Sequence, residues 1–438
     1  MDQAASAALS PARVAGRPGR RVALLILTAV GTVNFVDRQI LSVLAEPIRQ
    51  ELHLSDTQLG LLTGLSFALF YAAMGVPAAM LADRVNRVRL VAAACLIWSF
   101  FTGACAFANS FWQLALARFG VGTGEAGGTA PSLSILADYY PPERRPAVIG
   151  LFTVNGPLGV FIGASLGGWA AGEFGWRGAF LLVAAVGAVA AVILAVAVRE
   201  PPRGALDPGH GREPAKPASL GATVKLFLSR PTLRLQLLAA GLSAFVSYGM
   251  LNWIPAFLMR VQGMPLAEMA RWFGPAAGLS FGIGIWGGGA LVNWLGARDL
   301  KAYAYVPGVA ALITGPSLAV ALMASSWQMS LLFMLVPMVT CTMFTAPALA
   351  LVQNLSPIAA RATATALVLL AFNIVGLGGG PLAVGMISDT LAASGEASPL
   401  RTALLCLVPI AVLASLGYLA LSRVVERDAA NVLREAAA

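Results

Sequence analysis

The sequence predicts an all-α membrane protein with twelve transmembrane helices in two pseudo-symmetric six-helix bundles. Three observations carry that expectation. Hydrophobic residues make up 58% of the 438-residue chain and charged residues only 11%, whereas a soluble domain carries about 25% charged residues. Apolar windows of ~20 residues recur along the whole length, and that length crosses a ~30 Å hydrocarbon core at ~1.5 Å per residue. A hydrophilic stretch, 199–232, divides six such windows from six others. A β-barrel is excluded, because it would show alternating segments of about ten residues instead.

Residues 1–21, which include the Ala/Pro/Arg-rich start of the chain, read as a disordered cytoplasmic tail ahead of an uncleaved first helix, since no cleavage site follows the first apolar run. The spans 22–45, 57–82, 89–108, 111–137, 146–171 and 176–198 make an N-terminal bundle over 22–198. The stretch 199–232 contains Pro201, Pro202, Pro208, Pro214 and Pro217 and reads as a cytoplasmic linker. Near its end Leu220, Val224, Leu226 and Phe227 accompany Lys225, which suits a short helix on the membrane surface. The spans 233–259, 268–295, 302–325, 328–354, 362–388 and 402–422 make a C-terminal bundle over 233–422, and 423–438 is a second cytoplasmic tail.

The formal net charge of +9 does not point to nucleic acid, because the basic residues sit in short loops between apolar spans and act as topology signals. Of the 29 Lys and Arg, five (Arg49, Arg177, Arg260, Arg271, Arg401) fall outside and two (Arg38, Arg118) lie within spans, which leaves 22 in cytoplasmic segments. That excess places both termini in the cytoplasm. Cys95, Cys105, Cys341 and Cys406 all fall inside spans without metal-ligand or disulfide-framework spacing, so they read as small packing residues.

The two halves echo each other, as expected of a carrier built from repeated units. Ala79-x-x-x-Asp83-Arg84-x-Asn86-Arg87 follows span two, and Gly289-x-x-x-Asn293-x-x-Gly296-x-Arg298 follows span eight. Asn155-Gly-Pro-Leu-Gly in span five matches Asn373-Ile-Val-Gly-Leu-Gly-Gly-Gly-Pro in span eleven. Glycines at four-residue spacing, such as Gly159/Gly163/Gly167 and Gly376/Gly380, let helix backbones approach closely in lipid. Gly122-x-Gly124-x-x-Gly127 satisfies the dinucleotide fingerprint literally, but no strand precedes it and packing is its role.

Four charged residues fall where the bilayer is costly for them: Asp37, Arg38, Arg118 and Glu125. An intramembrane charge must be paired or face water, and it marks a functional site by default. Arg118 and Glu125 are seven residues apart, on one face of span four. The plain reading is a structural ion-pair cluster tying span one to span four. The functional reading is proton coupling by Asp37 and Glu125, with Arg38 and Arg118 as switchable partners or as binders of a substrate anion. A carboxylate that parts from its arginine in one conformation takes up a proton there. Asp83, Arg84 and Arg87 form a separate set, expected to pair across helix ends as a cytoplasmic gate. Glu46 and Asp56, at the outer ends of spans, are expected to be solvated. Phe245, Tyr248, Met250 and Trp253 on span seven, Met343 and Phe344 on span ten, and the polar Asn34 and Asn373 are candidates to line the cavity, with simple packing the alternative for each apolar one.

The Asp83-Arg84-x-Asn86-Arg87 loop resembles the signature of the major facilitator superfamily, with Ala79 and Asn86 standing where that family usually has glycine. Asn34-Phe-Val-Asp37-Arg38 and Arg118-Phe-Gly-Val-Gly-Thr-Gly124-Glu125-Ala126 resemble the Spinster group within it. The resemblance implies the superfamily's twelve-helix fold, a proton gradient in place of any cofactor, alternating access, and an amphiphilic substrate akin to lysolipids or sphingosine phosphate. It also implies a monomer in a bacterial inner membrane. The alternative is a proton-coupled symporter of small organic anions, with Arg38 or Arg118 gripping the carboxylate. An intramembrane enzyme is excluded by the lack of any histidine in a span and of H-E-x-x-H or G-x-x-x-x-G-K-[ST] motifs, and no metal site is expected. The charge bias predicts that a cysteine at position 210, in the linker, reacts with an impermeant thiol reagent only from the cytoplasmic side. Labelling of whole cells and of inverted vesicles checks this, and reaction from outside alone would reverse the topology.

Overall fold

The computed structural model describes residues 17–204, 206, 220–357 and 360–437, and among them no strand occurs. The first helix, α1, spans Arg17–Leu52. It is followed by α2 (Asp56–Arg84), α3 (Arg87–Cys105), α4 (Phe111–Glu125), α5 (Thr129–Tyr139) and α6 (Pro142–Ala197). After the linker come α7 (Leu220–Ser229), α8 (Pro231–Arg260), α9 (Leu266–Gly296), α10 (Ala302–Leu322), α11 (Trp327–Leu355), α12 (Thr363–Ala393), α13 (Pro399–Ser422) and α14 (Val425–Ala437). Most of the N-terminal tail and of the proline-rich linker, including His210, lies outside the described residues.

Ten of these helices are individually long and apolar enough to cross a membrane, and two features of the chain reconcile that number with twelve crossings. The 56 residues of α6 hold the expected fifth and sixth spans, which turn into one another at Gly175 with φ 69°, a left-handed conformation that glycine adopts without a Cβ penalty. The expected fourth span is instead divided between α4 and α5. Its glycines let α3 press close, since a Cβ on Gly124 would come within 2.7 Å of the Trp98 backbone nitrogen. At that crossing Gly127 and Gly128 donate three residues back, to the carbonyls of Gly124 and Glu125, so the α-helical ladder breaks beside Glu125.

Apolar packing shows how the halves meet. At the end remote from the chain ends, called outer here, one core joins Ile40, Leu44 and Leu59 of the N-terminal half to Met250, Phe257 and Phe273 of the C-terminal half. Towards the chain ends the core separates, with Leu27, Val88 and Leu194 in one cluster and Leu233, Leu355 and Val425 in another. The bundle is therefore closed at its outer end. The C-terminal segment expected as a tail is helical in α14. Val425 is fully buried, and the Asp428 carboxylate accepts from the Thr232 N–H at 2.9 Å, which caps the first turn of α8.

The outer closure rests on backbone contact between α2 and α12. A Cβ on Gly64 would lie 2.6 Å from the Leu377 carbonyl oxygen, and one on Gly60 2.5 Å from that of Pro381. Overpacking of this kind costs about 1–3 kcal/mol, so Gly64→Val is expected to shift the balance away from the outer-closed state by about five- to a hundred-fold. Distances between spin labels at positions 53 and 397, on the outer loops of the two halves, check it. An unchanged distance distribution would contradict the close-contact account.

Candidate functional site

The helix α1 carries the first two charges of the central site and α4 the other two. Arg38 Nε donates to Glu125 Oε2 at 2.7 Å, and Arg118 Nη1 lies 3.5 Å from Asp37 Oδ1. The other Asp37 oxygen accepts a hydrogen bond from the Thr102 hydroxyl of α3. The structure thus brings together all four intramembrane charges singled out from the sequence. Asp37, Arg118 and Glu125 are at most 1% exposed, while the Arg38 side chain retains 19%. Its guanidinium stands over three rings, 5.4 Å from the centroid of Phe35 and 4.7 Å from those of Phe67 and Tyr71, an arrangement favoured by cation–π attraction. Glu125 Oε1 and Arg118 Nε are buried without a protein partner among the described residues. The site therefore has one accessible cation, an acid behind it with one oxygen unsatisfied, and a second ion pair deeper in the bundle.

The opposite half supplies Tyr248, which packs with Leu377 against the cluster holding Phe67 and Tyr71. Of the other expected cavity residues, Phe245, Met343 and Asn373 are partly exposed. Asn34 is buried, and so are Met250, Trp253 and Phe344. Trp253 donates its indole N–H to the Pro381 carbonyl at 2.8 Å, and Phe344 meets Phe372 edge to face. In this conformation those two rings pack the C-terminal half.

The charged loop after α2 is divided in its contacts. Arg87 is buried within the N-terminal half, bound to Asp138 at 2.5 Å and Glu200 at 2.6 Å, whereas Asp83 and Arg84 are exposed. Arg203 of the linker donates to the backbone carbonyls of Ala82 and Val85, closing the end of α2.

The charged residues that join the halves lie at the outer end, where no sequence motif marks them. Glu46 and Asp56, expected to be solvated, are only 5% and 6% exposed. Arg260 of α8 bridges them, 2.7 Å from Glu46 Oε2 and 2.8 Å from Asp56 Oδ2. Its place beyond an apolar span reads as a mere external loop charge, and only the opposite half reveals its use. Ser388 of α12 donates to Asp56 Oδ2 at 2.6 Å. The neighbouring Asp389 accepts from the Asp56 and Thr57 N–H groups at 3.0 and 2.8 Å, where a carboxylate suits the positive end of the α2 dipole.

Residues 27–379 match the model of the Major Facilitator Superfamily. An MFS-type efflux pump of Mycolicibacterium smegmatis is 35% identical over 388 residues, covering 87% of this chain and 88% of that protein. Human protein spinster homolog 1 is 30% identical over 247 residues, 56% of this chain and 47% of the human protein. A hexuronate transporter of Bacillus subtilis is 28% identical over 247 residues, 56% of this chain and 58% of that one. The fold superposes with a TM-score of 0.87 and 32% identity on the crystal structure of a bacterial homologue of the human lysosomal transporter Spinster in an inward-facing, unoccupied conformation, covering 94% of this chain and 98% of that one. With the paired intramembrane charges, the twelve crossings and these likenesses together, the chain belongs to the major facilitator superfamily, as a Spinster-like transporter and not an enzyme.

Proposed function

We propose that the protein is a proton-coupled secondary active transporter that moves an amphiphilic substrate, of lysolipid or sphingosine-phosphate type, by alternating access. The observation that carries this reading is the Arg38–Glu125 pair, because its cation is reachable and its acid is not. An anionic headgroup arriving at Arg38 competes with Glu125 for the guanidinium. A carboxylate left buried without its counter-charge takes up a proton, so headgroup and proton enter the site together. The rings of Phe35, Phe67 and Tyr71 around Arg38, with Tyr248 opposite, offer apolar surface to the rest of an amphiphile. Asp37 with Arg118 is the second pair through which charge balance is kept.

The separation of the cores towards the chain ends and the closed outer seam support an inward-open state, with both termini in the cytoplasm of a bacterial cell and one chain as the working unit. Exposure of Asp83 and Arg84 fits a cytoplasmic gate that is released in this state. The hexuronate transporter favours the second reading, an organic anion held by Arg38.

Flux into proteoliposomes under an imposed pH gradient tests the proposal, with lysolipid analogues and sugar acids compared. Asp37→Asn and Glu125→Gln are expected to fold, since each keeps its shape and removes a charge that is costly to bury. Both should lose gradient-driven flux to the level of empty liposomes. Full pH-driven flux through well-folded forms of both variants would eliminate the coupling assignment, and transport of sugar acids alone would replace the amphiphile by an organic anion.

A further inference from the structure

Two helices, one from each half, run side by side from the central site to the outer seam. Along α1, Arg38, Ser42 and Glu46 follow one another at four-residue spacing and so line one face. Along α8, Tyr248 and Asn252 are four residues apart in the same way, and Arg260 lies eight residues further on, at the outer end of the helix. At the inner end Tyr248 packs against the cluster holding Phe67 and Tyr71, the rings over which Arg38 stands, and Arg260 holds Glu46 at 2.7 Å at the outer end. Between them Ser42 Oγ donates to Asn252 Oδ1 at 2.8 Å. The amide nitrogen of Asn252 is bound to the Tyr248 carbonyl at 2.9 Å, which fixes the oxygen towards Ser42. Ser42 and Asn252 are 2% and 7% exposed.

We propose that Ser42 and Asn252 are positioning residues that carry the state of the Arg38–Glu125 pair to the Arg260 lock, so that the outer seam opens only when the central pair has been released. The physical reason is that no rung of this ladder can open by itself at low cost. A buried hydroxyl or amide without a partner is unfavourable by about 1–3 kcal/mol, and apolar neighbours such as Leu41, Val43 and Ile254 offer no replacement hydrogen bond. Moving α1 at Arg38 therefore drags the Ser42 rung, and the Ser42 rung drags Glu46 off Arg260. Isolated glue would behave differently, each contact adding its own stability to the closed seam and nothing more.

The inference rests on the reading of Glu125 as a proton site, and a double-mutant cycle separates the two. Labels at positions 53 and 397 report the ratio of outer-open to outer-closed molecules in the full-length protein. Ser42→Ala is expected to raise that ratio about five- to a hundred-fold, since it leaves the buried Asn252 oxygen without its partner. Glu125→Gln, a mimic of the protonated acid, is expected to raise it as well. In the combined variant the increase should fall well short of the product of the two, because Glu125→Gln no longer has an intact rung to act through. Asn252→Ala in place of Ser42→Ala should give the same shortfall. Effects that multiply independently would overturn the ladder while leaving proton coupling intact. No response to Glu125→Gln alone would overturn it too, and the flux measurement then decides separately whether Glu125 carries the proton.

Discussion

An ionised side chain in the middle of a bilayer costs several kcal/mol unless it is paired or wetted, and the N-terminal half is organised around satisfying four of them. Two cations and two anions are brought into pairs by only two crossings, α1 and α4, with Thr102 of α3 completing the set. The break between α4 and α5 lies beside one of them. Glycines allow α3 to approach until Trp98 meets Gly124, and the interrupted ladder falls at Glu125 itself. Pairing here is incomplete, since one Glu125 oxygen has no protein partner among the described residues. A fully satisfied cluster would serve stability alone, whereas an acid held by one exchangeable arginine can change its charge state.

The outer seam stores the opposing constraint. There the halves share one apolar core, glycines bring the α2 and α12 backbones into contact, and Arg260 is bound by two carboxylates at once. Buried ion pairs often yield little net stability over apolar packing, yet breaking one is costly. Such a lock is suited to holding one state until something compensates for its loss. On the other side the apolar residues fall largely into one cluster per half, with Leu377 and Tyr248 the C-terminal residues that reach the N-terminal one, so separating the halves there exposes little shared apolar surface. Movement of one half against the other is then a choice between the two seams.

Much of this is legible in the sequence because lipid imposes simple rules. Hydropathy marks a span whatever its packing, and a charge within one, such as Asp37 or Glu125, stands out against an apolar background. The expected spans four, five and six differ from the structure chiefly at Gly127 and Gly128 and at Gly175, since a glycine does not announce whether it packs, breaks or turns. The outer lock is illegible for a different reason. Glu46, Asp56 and Arg260 each lie at the end of a span, where charges are ordinary, and 204 residues separate Arg260 from Asp56 in sequence. Burial of such residues depends on the pairing of the halves, which no local pattern encodes. Trp253 and Phe344 show the converse, being aromatic residues on the expected spans that the fold uses for packing.

In the proposed cycle a buried carboxyl of this cluster binds and releases a proton. Infrared difference spectroscopy of the purified protein observes that group directly, through the C=O stretch that the protonated acid shows and its carboxylate lacks. The account predicts a band that grows as the pH is lowered, is strengthened by an anionic amphiphile that occupies Arg38, and is lost in Glu125→Gln. A spectrum without a titrating carboxyl band, or with one that persists unchanged in both Asp37→Asn and Glu125→Gln, would contradict it.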